Sequence, residues 1–137
     1  MDTQKNLMLI NPIAAFIYGL WFIFSPESYW QLLGVPEDAM SPLASYATLI
    51  VGAGLMLSTY VFLWIRAIVT EEQVEAAMLR FAAGWLFYGI GTLLGLSLYP
   101  IEGANTTLGY IQGILFLVLA VVYFVLRSPT RNASDSE

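Results

Sequence analysis

The chain has 137 residues, of which 58% are hydrophobic and only 11% charged, with a net charge of −5. Soluble domains carry about 25% charged residues, so the deficit points to lipid as the surrounding solvent, and the acidic balance argues against nucleic acid and against a polybasic contact with anionic lipid. The sequence contains no cysteine and no histidine, which removes a disulfide framework, thiolate chemistry, the commonest general base and the commonest metal ligand.

Four apolar segments follow one another, 7–24, 43–65, 78–99 and 108–126. Each is close to or above the roughly 18–20 residues that cross a hydrocarbon core. None alternates with period two, which disfavours a transmembrane barrel. The expected fold is all-α: one four-transmembrane-helix bundle over residues 1–127, followed by a polar tail at 128–137.

In the first segment, a helix starting at Pro12 would leave about 13 residues before Ser25, roughly 20 Å, which is too short to cross. The helix therefore begins nearer Leu7, with Pro12 weakening a backbone bond in its early turns and Asn11 placed to satisfy the freed groups. Only Lys5 flanks this segment and no small-x-small site follows Phe24. A retained span is expected rather than a cleaved signal peptide.

The stretch "SPESYWQLLGVP", 25–36, interrupts the apolar pattern. Ser25 suits an N-cap, Pro26 the first helical position and Glu27 the positive end of the helix dipole. Gly34 suits a left-handed C-cap with Pro36 beyond it as a stop. A short helix is expected here, lying at the membrane interface with Tyr29 and Trp30 at headgroup level. It would act as a lid only if a pocket opened beneath Trp30 and Leu33.

The second span ends at Trp64 and Arg66. Thr70-Glu71-Glu72-Gln73 then reads as a capping box, so the third helix starts ahead of its apolar portion. The acids Glu71, Glu72 and Glu75 sit where a helix start favours them. "YPIEGANTT" is a short turn, with Pro100 ending one helix and Thr106 or Thr107 capping the next. The tail "RSPTRNASDSE" is expected to fray. Asn105-Thr106-Thr107 and Asn132-Ala133-Ser134 match the glycosylation sequon, but one lies tight against the membrane and the other on the cytoplasmic side, so both are read as chance.

All five basic residues, Lys5, Arg66, Arg80, Arg127 and Arg131, lie at the two termini or around the second connection. The positive-inside rule then places both termini in the cytoplasm. The localisation expected is multi-pass, in a bacterial inner membrane.

Between helices in lipid, small residues that allow close approach mark the packed faces. Asn11, Ala15, Tyr18 and Phe22, with Gly19 close by, share a face of the first helix, and Ala44, Ala47, Val51, Gly54 and Ser58 share one of the second. The third carries Arg80, Gly84, Tyr88, Gly91 and Gly95, and the fourth Gly109 and Gly113. Gly84, Gly91, Gly95, Gly109 and Gly113 are expected to pack helices within one chain rather than to form a dimer motif. Arg80 shares the glycine face and is expected to point inward. It either snorkels to the headgroups, pairing with Glu72 or Glu75, or anchors an anionic headgroup or carboxylate with Asn11 and Tyr60 at similar depth. Gln112 is expected as an interhelical hydrogen-bonding group, or as part of an outer pocket with Tyr110, Trp30, Ser97 and Glu102.

"FSPESYWQLLGVP", "YATLIVGAGLML" and "LRFAAGWLFYGIGTLLGL" together resemble a bacterial family of small, uncharacterised four-helix membrane proteins, over about residues 14–124. Where that family carries an arginine before the glycines of the second helix, this chain has Ala44-Ser45-Tyr46. The resemblance implies a four-helix fold and no particular activity. No serine-, cysteine- or metal-protease pattern, phosphate loop or dinucleotide motif is present, and the spans hold no buried acid for a proton relay. The expectation is a non-catalytic integral membrane protein without catalytic residues, metal or cofactor. It would serve as an accessory subunit beside a membrane-protein partner or second copy, or bind a lipid or small apolar ligand. The alternative is a small transporter or channel-like oligomer.

Overall fold

A computed structural model describes residues 2–100 and 103–128, and these are helical with no strand among them. We number the helices α1 (Asp2–Phe24), α2 (Pro26–Leu32), α3 (Pro42–Ile68), α4 (Glu71–Leu98) and α5 (Thr107–Val125). A single 3-10 turn, Glu37–Ala39, lies between α2 and α3. Helices α1, α3, α4 and α5, of 23, 27, 28 and 19 residues, are long and apolar enough to cross a membrane.

The first helix starts at Asp2, earlier than the hydropathy suggests, because its ladder is rebuilt around Pro12. Proline has no N–H to give to the Met8 carbonyl. The Asn11 side chain replaces it, with Nδ2 donating to Met8 O at 3.3 Å. The Asn11 backbone N–H also turns to Met8 O, at 3.3 Å, so the Leu7 carbonyl is left without its helical donor. Tyr123, near the end of α5, supplies one: its hydroxyl donates to Leu7 O at 2.6 Å and accepts from Asn11 Nδ2 at 2.8 Å. One buried tyrosine thus mends the break and ties the first helix to the last.

The helices pair as two hairpins, α1 with α3 and α4 with α5, and extensive contact is confined to these pairs. Glycine sets each crossing. A Cβ on Gly52 would meet Gly19 O at 3.0 Å, and one on Gly89 would meet Gly113 O at 3.0 Å, so backbone touches backbone in both hairpins. Gly109 packs under the Leu96 side chain, which a Cβ would meet at 2.9 Å. Gly109 and Gly113 therefore pack helices as the sequence suggests. Gly84, Gly91 and Gly95 do not, because nothing lies within 4 Å of where their Cβ atoms would stand. The α4 glycine at the crossing is Gly89, two residues from Gly91 and so on the opposite face from that stripe.

At the end carrying the termini, Met8, Val74, Met78 and Tyr123 are fully buried, with Val69 and Ala82 beside them. Gln4 Nε2 closes the last turn of α5 by donating to the carbonyls of Leu126 and Ser128, both at 3.2 Å. Arg66 Nε reaches Lys5 O at 2.8 Å. Gln73 Oε1 accepts from Thr70 N at 3.4 Å, as the capping pattern predicts. Apart from Ser128, the tail at 128–137 lies outside the described residues.

At the far end, α2 closes in a Schellman motif: Val35 N donates to Trp30 O at 3.0 Å and Gly34 N to Gln31 O at 2.9 Å. Gly34 holds φ +83°, and its carbonyl accepts from Asn105 N at 3.1 Å, which ties α2 to the α4–α5 loop. Two expected caps differ. Ser25 makes no side-chain cap; its carbonyl instead accepts from Ser28 Oγ, which in turn accepts from Trp21 Nε1 at 2.7 Å. Neither Thr106 nor Thr107 caps α5, because Asn105 Oδ1 takes the Thr107 N–H at 3.2 Å. Ser41 Oγ does cap α3, accepting from Ala44 N at 3.1 Å.

Candidate ligand cavity between the two hairpins

Because the hairpins pack internally and only thinly against each other, a cavity of about 530 Å³ remains between them. The small-residue faces of the sequence form its walls. Asn11, Ala15, Tyr18 and Phe22 of α1 stand on one side and Ala44, Ala47, Val51 and Ser58 of α3 on the next; α4 adds Gly84, Trp85 and Tyr88, and α5 adds Gln112 and Phe116. In each stripe, small residues leave space where close packing was expected.

The lining is rich in aromatic residues and, among the described residues, carries no Asp, Glu, Lys or Arg. Trp85 and Phe116 lie with ring centroids 5.3 Å apart, and Tyr88 and Phe116 at 6.1 Å. Phe62 of α3 meets Phe81 of α4 edge-on at 5.6 Å, near the termini end where the two helices join. Wall residues on α1 and α5, such as Asn11, Ala15 and Phe116, are buried, whereas Val51 and Tyr88 on α3 and α4 are 52% and 60% exposed. The mouth therefore lies at the side, between α3 and α4.

Both ends are covered. The termini end is filled by the Met8–Val74–Met78–Tyr123 core. The far end is crossed by α2, whose two aromatics line the cavity and face three helices. Tyr29 is buried against Tyr18, Trp21 and Phe22 of α1 and donates its hydroxyl to Gln112 Oε1 of α5 at 3.1 Å. Gln112 Nε2 in turn donates to Tyr18 at 3.4 Å. Trp30 Nε1 donates to Thr48 Oγ1 of α3 at 2.9 Å. Burial pushes the Tyr29 phenol above its ordinary pKa despite the opposing Gln112 bond, so it remains a neutral donor. The short helix thus closes the far end of the cavity as a lid would, held to α3 and α5 by hydrogen bonds, with Trp30 but not Leu33 in the lining.

Of the residues singled out from sequence, Asn11, Trp30, Gln112 and Gly84 meet in this cavity. Arg80 and Tyr60 do not: both are exposed and outside the lining, Arg80 because its position on α4 turns it away from the hairpin partner. Glu75, offered to Arg80 as a partner, instead pairs with Arg127 at 3.3 Å. Tyr110 also lies outside, its hydroxyl 3.4 Å from Ser97 Oγ, and Glu102 falls outside the described residues. Sequence reasoning placed Tyr29 at headgroup level rather than in a site, and passed over Thr48 and over Tyr123 beneath the cavity floor. The one available signal was that these buried hydroxyls each needed a polar partner. No protein-family model, curated protein or solved structure matches this chain.

Proposed function

We propose that the chain is a non-catalytic, multi-pass membrane protein, with both termini cytoplasmic, that holds a lipid or similar small apolar molecule between its two hairpins. The observation that carries this reading is the cavity itself. Its volume, about 530 Å³, falls within the range of small-molecule sites, and it is apolar with a few polar groups at its ends. Its mouth faces sideways, where a bilayer would place hydrocarbon, and both ends are covered, which supports entry from lipid over passage between aqueous phases. The uncharged lining likewise gives a transporter of ions little to work with.

Mass spectrometry of the protein purified in mild detergent tests the reading: one co-purifying lipid-like molecule per chain is expected. Gly84→Phe is the matched control. Its side chain enters open space at the cavity wall, so it should fold normally and lose that molecule; Ala47→Phe, at the mouth, should do the same. An empty wild-type protein, or equal loading of all three, refutes the reading. Orientation is testable because the chain lacks cysteine: single cysteines at Thr3 and Glu37 should react from the cytoplasmic and opposite sides respectively. A second reading, as an accessory subunit, draws support from Gly54, Gly91 and Gly95, which have no described residue within 4 Å of where a Cβ would stand.

A further inference from the structure

The hydrogen-bond accounting of the cavity floor specifies the occupant more narrowly. Asn11 is 5% exposed, and both hydrogens of its Nδ2 are committed, to Met8 O and to the Tyr123 hydroxyl. The orientation of this amide is fixed, since the Tyr123 proton goes to Leu7 O and its oxygen must accept. That leaves Asn11 Oδ1, which accepts from no described residue. It is not sealed away: the buried side-chain atoms closed off without a partner are Gln4 Oε1 and Trp85 Nε1. Asn11 lines the cavity, so its remaining exposure is into the cavity. An amide oxygen facing an apolar slot without a donor is costly to leave unmet.

Shape and charge add two limits. From Asn11 to Phe22 the lining follows α1 for 11 residues, about 16 Å at 1.5 Å per residue, close to half a hydrocarbon core of roughly 30 Å. With no charged residue in the lining, a charged headgroup would enter without a counter-charge, which is unfavourable in a low-dielectric site.

We propose that the cavity takes a neutral amphiphile about one leaflet long that carries a hydroxyl, and that this hydroxyl donates to Asn11 Oδ1 while the apolar body lies along the aromatic wall toward Tyr18 and Gln112. The proposal rests on the ligand-binding reading above, and its test separates the two. The wild-type protein in phosphatidylcholine nanodiscs is titrated with dodecan-1-ol, its methyl ether and dodecanoate at equal membrane mole fraction. Binding is read from the intrinsic fluorescence of Trp30 and Trp85, which line the cavity, with Gly84→Phe defining the unbound signal. The alcohol is expected to bind roughly two- to tenfold tighter than the ether, the range of one net hydrogen bond, and dodecanoate at pH 8 more weakly than the alcohol. Asn11→Leu should erase the alcohol–ether difference. Since Asn11 also mends the α1 backbone, the ligand pair on the unaltered chain carries the test if that variant fails to fold. Equal binding of alcohol and ether, or preference for dodecanoate, overturns the proposal while leaving the cavity a ligand site. If none of the three competes with the Gly84→Phe baseline, both readings fall.

Discussion

Tyr123→Phe is the sharpest test of how this fold holds together. The substitution removes one oxygen from a fully buried ring and leaves its shape in place. Two bonds vanish, the 2.6 Å bond to Leu7 O and the 2.8 Å bond from Asn11 Nδ2. Leu7 O then has no donor, because the Asn11 N–H is already turned to Met8 O. A net hydrogen bond is worth about 0.5–1.5 kcal/mol in water, and interhelical ones in membranes average about 0.6 and reach about 1.7 kcal/mol. Two bonds plus one orphaned carbonyl give an expected loss of about 1.5–3 kcal/mol. Reversible unfolding in mixed micelles, followed by circular dichroism, measures it. A double-mutant cycle with Pro12→Ala isolates the cause. Alanine restores an N–H at position 12, the helix can regain its regular ladder, and Leu7 O no longer depends on Tyr123. The cost of Tyr123→Phe should therefore fall by about 1 kcal/mol in the Pro12→Ala background. A cost below about 0.3 kcal/mol, or one identical in both backgrounds, would refute the account of Tyr123 as the repair of the proline break.

Gly89→Ala and Gly113→Ala force a Cβ against Leu117 and Leu93 at under 3.0 Å and should each cost about 1–3 kcal/mol by overpacking, whereas Gly91→Ala and Gly95→Ala, with open space around them, should be neutral or gain up to about 1 kcal/mol; the same unfolding assay ranks all four. Gly34→Ala places a side chain at φ +83° and against the Asn105 backbone, so a loss of at least about 1 kcal/mol is expected, visible as a lowered midpoint. Arg80→Ala removes an exposed side chain and should change stability by less than about 0.5 kcal/mol with lipid retention in the mass spectrum unaltered. A large effect there would restore Arg80 as an anchor.

The class of fold was plain from hydropathy because length and apolar composition alone determine whether a helix can cross a bilayer. Gly34 and Pro26 were equally readable, since a left-handed C-cap and a first-turn proline each demand a particular residue type. Caps that rely on a hydroxyl were less so. Ser25, Thr106 and Thr107 are all competent caps, but Ser25 offers a carbonyl to Ser28 instead and Asn105 takes the bond at α5. A sequence shows which residues are able to cap, while the neighbouring turn decides which one does.

The site was half legible for a related reason. Small residues on one helix face permit close approach without requiring it, and the same pattern accompanies a packed crossing or the wall of a void. Gly89 and Gly91 are two residues apart on α4, yet one lies against Gly113 and the other against nothing. They stand on opposite sides of α4, about 200° apart at 3.6 residues per turn, and which side meets α5 is set by long-range packing against Leu117 and Gly113, which no local pattern encodes. Polar residues within apolar spans were the more dependable guide. Asn11 and Gln112 each had to find hydrogen-bond partners in an otherwise apolar helix, and both sit at an end of the cavity. Gln112 has found its partners in Tyr18 and Tyr29 and serves to fasten the lid. Asn11 has found partners for its donors alone. The two amides therefore differ by a single acceptor, Asn11 Oδ1, which meets no donor among the described residues, and it is that atom which the proposed hydroxyl would satisfy.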